Sequence, residues 1–196
     1  MMTQIQSSIR NHPSALAGTI ILVLITAQAL ILHFMGRIAM CACGFGLWTG
    51  NAWSNATSQH FADPYSLSHI LHGFIFYALL TIFSKKLTVR QRLVIATVIE
   101  IGWELLENSP VIINRYRAAT ASLDYMGDSI LNSVGDVVSC ILGFYLAARL
   151  PVKWTLVISL LIELGMLFFI RDNLTLNVIM LIYPIRAVKI WQMHGA

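Results

Sequence analysis

The sequence predicts an all-α polytopic membrane bundle of about six transmembrane helices, and three observations predict it. Of 196 residues, 57% are apolar and only 11% charged, against roughly 25% charged in an average soluble domain. Mean hydropathy is +0.72. The apolar residues gather into runs suited to crossing about 30 Å of hydrocarbon. A soluble protein of this size needs more polar surface. The composition therefore excludes disordered, coiled-coil, nucleic-acid-binding and disulfide-scaffold classes as the main reading. No internal repeat or low-complexity tract divides the chain, so residues 1–196 read as a single integral-membrane domain.

The first run, residues 15–35, is too long for a signal-peptide core. Gly36-Arg37-Ile38-Ala39-Met40-Cys41 after it gives neither a small-x-small cleavage site nor a good lipobox, so it reads as a retained span. Further spans are expected over 67–83, 93–107, 129–148, 154–170 and 174–190. The third reaches span length only with Glu107 included, and the last carries Pro184, a residue that kinks or ends helices.

Charge placement orients these spans. Lys85, Lys86, Arg90 and Arg92 crowd one connection, Arg149 and Lys153 bracket another, Arg10 precedes the first span, and Arg186 and Lys189 follow towards the end. Nine of the 13 basic residues thus fall on one side. The positive-inside rule makes that side cytoplasmic, with both termini inside. All nine acids lie in the opposite loops or within spans. Acids do not set topology, so their placement points to function.

The polar residues form stripes. His69 and His72, three apart, share one face at the start of span two. Glu100, Glu104 and Glu107 form a second stripe on span three, and Asp128, Asn132 and Asp136 a third on span four. Each stripe descends about 10 Å at 1.5 Å per residue. Carboxylates at that depth cost several kcal/mol each unless paired, protonated or metal-bound, which makes all eight side chains candidate catalytic residues. The stripes are expected to converge in the outer half of the membrane. His69, His72, Glu104 and Asp128 are the expected ligands of a divalent metal ion, since mixed imidazole and carboxylate sets suit zinc, manganese or iron. The same groups also suit metal-free acid/base chemistry.

The loops supply candidate substrate-binding residues: Arg115 and Arg117, suited to a phosphate or carboxylate, with Asp124 and Arg171. Asp172 or Asn173 is expected to cap the sixth helix. Cys41 and Cys43 read as a disulfide, a ligand pair or two thiols, and a lone C-x-C separates these poorly. Cys140 reads as packing, and His33 and Glu163 as lesser members of the polar interior. Trp48, Trp53, Tyr65 and Trp103 fit an interfacial aromatic belt. A simpler reading of the acid stripes is a buried salt-bridge network with Arg115 or Arg117 as counter-ions.

Several segments carry a resemblance: Ser-His-Ile-Leu-His-Gly-Phe at 68–74, Trp-Glu-Leu-Leu-Glu-Asn-Ser-Pro at 103–110, Arg-Tyr-Arg at 115–117, Gly-Asp-Ser-Ile-Leu-Asn-Ser at 127–133 and Arg-Asp-Asn-Leu-Thr-Leu-Asn at 171–177. Together, from about Cys41 to Trp191, they resemble a family of small uncharacterised multi-pass inner-membrane proteins of alphaproteobacteria. That resemblance implies the bacterial inner membrane as location and supplies no activity. More loosely, the order of polar residues is similar to the VanZ-like teicoplanin-resistance membrane proteins. There His69 or His72, Glu100 or Glu104, Arg117, Asp128, Asn132 and Gly143 take the matching places, while the Asp-Lys pair of that family is replaced by Leu67-Ser68. This likeness implies a site handling an envelope lipid or lipid-linked group.

The expectation is therefore an inner-membrane protein with a periplasm-facing polar site that acts on a phospholipid or lipid-linked phosphate, with the bilayer as its partner. The rival readings are an ion or small-solute carrier and a non-catalytic accessory subunit.

Overall fold

The computed structural model describes residues 13–54 and 56–193 and is all-helical in its long elements. Among the described residues, eight helices follow one another: α1 (Pro13–Phe34), α2 (Ser66–Phe83), α3 (Val89–Glu107), α4 (Pro110–Ala119), α5 (Ile130–Arg149), α6 (Val152–Ile170), α7 (Leu174–Ile182) and α8 (Arg186–Met193). Four of them, α1, α2, α5 and α6, are long and apolar enough to cross a membrane. Helix α3 has 19 residues, as many as α6, but carries the glutamate stripe. Arg10 lies outside the described residues.

Local chemistry sets the helix starts. Thr88 and Gln91 form a reciprocal capping box at α3. Ser109, followed by Pro110, opens α4, and Ser129 opens α5. Asn173, not Asp172, caps α7 by accepting from the Leu176 N–H at 2.8 Å.

Helices α2 and α5 run parallel as the closest pair in the bundle. Gly73 lies against the Cys140 carbonyl and Gly143 against the Ile70 carbonyl, so close that a Cβ at either would collide with backbone. Small residues let helix backbones meet in this way where no hydrophobic effect drives association. Buried Cys140 is part of this seam. Helix α3 packs antiparallel across both, with α1 behind it, and α6 lies against α2. The outward faces of α1 and α6 are apolar: Leu22, Val23, Leu30, Leu160, Leu161, Phe168 and Phe169 are all exposed.

The expected span over 174–190 is two short helices. Helix α7 has nine residues, about 14 Å at 1.5 Å each, half of what a crossing needs. The chain breaks at Tyr183 to Ile185, around Pro184. Both helices stay at the end of the bundle where α2 and α5 begin. Arg115 of α4 donates to the Leu181 and Ile182 carbonyls at 2.7 and 3.1 Å. Lys189 donates to the Ala118 carbonyl at 2.7 Å, and Arg171 to that of Trp191 at 3.1 Å. Each cation meets carbonyls in a last helical turn, where the helix dipole favours positive charge. Lys189, and Arg186 beside it on α8, therefore leave the basic group to which the sequence assigned them. Among the described residues, Lys85, Lys86, Arg90, Arg92, Arg149 and Lys153 mark the opposite, basic end.

Candidate functional site

Helices α2, α3 and α5 bring two histidines and three carboxylates together. Nδ1 of His69 donates to Glu100 Oε1 at 2.5 Å. Nδ1 of His72 donates to the same carboxylate, 3.0 Å from Oε2. Glu104 Oε1 lies 3.4 Å from His69 Nδ1, and Asp136 Oδ2 lies 3.9 Å from His69 Nε2. His69, Glu100, Glu104 and Asp136 are all buried.

Hydroxyls complete the shell. Ser133 donates to Glu104 Oε2 at 2.5 Å, and Gln28 of α1 donates in turn to Ser133 Oγ at 2.8 Å. Ser66 donates to Asp136 Oδ1 at 2.7 Å and accepts from the Asp63 N–H at 3.1 Å. Glu104 Oε1 is buried without a hydrogen-bond partner among the described residues. Gln28, Ser66 and Ser133 were missed in the sequence, although each carries a legible mark. Gln28 interrupts an apolar run, Ser66 stands one turn before His69, and Ser133 stands one turn before Asp136.

The third stripe is not one surface. Helix α5 starts at Ile130, so Asp128 precedes it. Its carboxylate accepts from the Asn108 amide at 2.8 Å and the Tyr125 hydroxyl at 2.9 Å. Asn132 turns to the opposite loop and donates to the His60 carbonyl at 2.8 Å. Asp128 thus belongs to neither group of side chains that could hold a metal ion around the histidines. Those groups are His69, His72 and Glu100, and His69, Glu104 and Asp136.

A cavity of about 460 Å³ opens onto the cluster. His69, His72 and Asp136 line it, with Glu107, Asp124, Asp128 and Asp172 around them, while Glu100 and Glu104 lie behind the histidines. Trp53 and Trp103 line this cavity. Trp103 stands edge-on to the His72 ring at 6.4 Å. Tyr65 is tied to the same end by its hydroxyl, which donates to Asp172 at 3.3 Å.

Arg115, Arg117 and Arg171 are absent from this lining. Arg117 donates to the Tyr125 carbonyl at 2.5 Å, so all three expected anion-binders serve as ties between backbone segments. Nor are they counter-ions. Among the described residues, every ion pair to a carboxylate comes from His69 or His72. A salt-bridge network with arginine is therefore not what holds the acids. His33 is exposed on α1. Glu163 accepts from the Leu174 and Thr175 N–H groups at 3.0 and 3.3 Å, which satisfies the start of α7.

Outside the spans, burial sets the acidity of the cavity rim. It pushes Asp128 upward, against the Tyr125 and Asn108 hydrogen bonds that favour the charged form. Burial likewise raises Asp63, opposed by the Ser58 and Tyr65 N–H groups, and brings Asp172 up to about 6.

Fold and site together define an all-helical, membrane-type protein with a buried histidine–carboxylate cluster under a polar cavity. The chain belongs to the family described as Protein of unknown function (DUF2585), which it matches over residues 32–194. It is 52% identical over 187 residues to a UPF0314 protein of Brucella anthropi, covering 93% of this chain and 95% of that one. It is 52% identical to a UPF0314 protein of Rhizobium etli over 87% of this chain and 88% of that one. A UPF0314 protein of Paracoccus denitrificans is 50% identical over 86% of this chain and 88% of its own length. These relatives fit the alphaproteobacterial family that the motifs resemble. The VanZ-like resemblance gains no support from them. No solved structure matches the chain.

Proposed function

We propose that this protein is an inner-membrane enzyme whose His69, Glu104 and Asp136 hold a divalent metal ion, with His72 beside them, for chemistry on a phospholipid or lipid-linked phosphate. One observation carries the reading: a single buried carboxylate fixes both imidazoles. Glu100 accepts from each Nδ1, which leaves each Nε2 for an ion or substrate. Carboxylates that orient metal-bound histidines from behind do so in this way.

Charge supports the same reading. Glu100, Glu104 and Asp136 would carry three negative charges in a low-dielectric seam whose only ion-pair partners among the described residues are histidines. A divalent cation offsets that cost. The cavity rim is acidic too, so a phosphate reaches the cluster only by way of a bound cation. Such an ion would polarise a phosphoryl oxygen or activate water.

Location supports a lipid substrate. His69, His72 and Asp136 lie on two helices suited to a bilayer, α2 and α5, and the cavity carries Leu123, Met126, Leu174 and Val178 beside its polar groups. By the positive-inside rule the basic end is cytoplasmic and the cavity faces the periplasm. A carrier would need a polar path onward to the basic end, yet α2 continues from His72 as Gly73-Phe74-Ile75-Phe76 and α5 from Cys140 as Ile141-Leu142-Gly143-Phe144.

Elemental mass spectrometry of the protein purified in mild detergent tests the metal. The expected outcome is about one divalent metal per chain, lost in His69→Ala, with phosphate release from lipid-phosphate vesicles lost alongside it. Full activity in metal-free protein, or in His69→Ala, would overturn the reading.

A further inference from the structure

Away from the intramembrane cluster, the loop before α2 holds a second reactive group: Cys41, Cys43 and His60. We propose that Cys41–Cys43 is an exchangeable disulfide that reacts with a dithiol of a partner protein, with His60 stabilising the sulfur that leaves.

The two cysteines are bonded to each other. Cys43 is exposed and Cys41 half-buried, so the bond is open to attack. His60 Nε2 lies 3.6 Å from Cys43 Sγ, and the Cys43 backbone N–H reaches Cys41 Sγ at 3.1 Å. Each sulfur thus has a donor ready for a thiolate. His60 Nδ1 is buried and has no hydrogen-bond partner among the described residues, so nothing else claims the ring.

The loop is built to keep the imidazole there. The Cys41 N–H donates to the Gln59 carbonyl at 3.2 Å and the Phe61 N–H to that of Gly46 at 3.0 Å, which pins residue 60 from both sides. Asn132 holds the His60 carbonyl at 2.8 Å. Gly46 lets its loop segment run against the ring, for any Cβ there would strike the imidazole. A purely structural role is a poor account of the bond. It closes a loop across a sequence separation of two, where the gain from restricting the unfolded chain is smallest, and the loop is already tied by its backbone.

The exchange balances without any other reagent. A partner thiolate attacks Cys41 Sγ, forming a mixed disulfide as the Cys41–Cys43 bond breaks. The electron pair leaves on Cys43 Sγ, where His60 holds the charge or supplies a proton. The partner's second thiolate then attacks the partner sulfur of the mixed disulfide and releases Cys41. The partner dithiol is oxidised by two electrons to a disulfide, and its two protons end on Cys41 and Cys43.

The test uses the full chain in mild detergent. The protein is equilibrated with stepped ratios of reduced and oxidised glutathione, and its free thiols are counted with a polyethylene-glycol maleimide. Two thiols should appear and disappear reversibly with the melting temperature little changed. In the Cys41→Ser background at pH 7, Cys43 should react with a small disulfide probe about fivefold to tenfold faster than when His60→Ala is added. His60→Gln gives a second comparison in case His60→Ala disturbs the loop, and it should be slow as well while melting like its parent. A bond that resists glutathione in the folded protein, or equal rates with and without His60, would overturn the proposal.

Discussion

Glu100 sits fully buried between two imidazoles and accepts from both. Replacing it with alanine leaves both rings without their anchor. Glu100→Ala should therefore weaken metal binding about 10- to 100-fold, read by competition with a chelator. Ser133→Ala strips the hydroxyl from Glu104 and leaves the Gln28 amide only the Ser133 backbone carbonyl, 3.2 Å away. It should cost roughly 1–3 kcal/mol of stability, read from thermal unfolding in detergent. Asp172 gives a pH signature. Its value rises from 3.8 in the unfolded chain to about 6 in the fold, so the folded state binds the extra proton between those values. Stability from this group is greatest below about pH 4, falls as pH rises to about 6 and is level above, a difference of roughly 3 kcal/mol. Asp172→Asn keeps an acceptor for Tyr65 and should flatten that part of a melting-temperature profile between pH 4 and 7. A profile unchanged by the substitution would refute it. At this scale the sequence was informative where a side chain was ionisable and silent where it was not. His69, His72, Glu100, Glu104 and Asp136 stand out by charge in apolar helices. Gln28, Ser66 and Ser133, which satisfy them, look ordinary until their partners are known.

The element that positions the site is the α2–α5 seam, and its tightness is testable by contrast. Gly73→Ala would push a Cβ into the Cys140 carbonyl, an overlap that backbone cannot relieve cheaply. The expected cost is about 1–3 kcal/mol, with His69 displaced from Asp136. Gly102 of α3 has nothing within 4 Å of an added Cβ, so Gly102→Ala should be neutral or stabilising by about 0.5–1 kcal/mol. Thermal unfolding of the two variants side by side decides whether the seam or helical glycine in general matters. The long helices were legible because span-length apolar runs and caps such as Thr88 and Ser129 are local features. Helix α4, and the break between α7 and α8, were not. Residues 174–190 have the hydropathy of a span, and what divides them is Pro184 together with tertiary ties from Arg115, Arg171 and Lys189. Those bonds join residues up to 71 positions apart, which no local pattern reveals.

These ties change the topology of the whole molecule. Among the described residues, the five long helices α1, α2, α3, α5 and α6 alternate in direction, so that Pro13 lies at the basic end and Met193 at the cavity end. The sequence count of nine basic residues on one side rested partly on Arg186 and Lys189. Six remain on that side among the described residues, and at the other end Arg37, Arg115, Arg117, Arg171 and Lys189 are all held by backbone carbonyls. Cations engaged in this way are part of the folded cavity end, whereas Lys85, Lys86, Arg90 and Arg92 sit on a short connection, where the positive-inside bias acts most strongly. The basic end should thus face the cytoplasm, with α8 and the Cys41–Cys43 loop in the periplasm. Reporter fusions separate the two topologies. Alkaline phosphatase joined after Met193 should be active, and a fluorescent protein joined there should be dark. The same pair inserted after Ser84 should give the opposite result. Fluorescence at both points would show that residues 174–190 cross the membrane after all and would withdraw α7 from the rim of the cavity. Activity after Met193 alone would leave α7 where Asn177 meets Tyr116 at 2.9 Å, closing one side of the cavity that a lipid headgroup must enter.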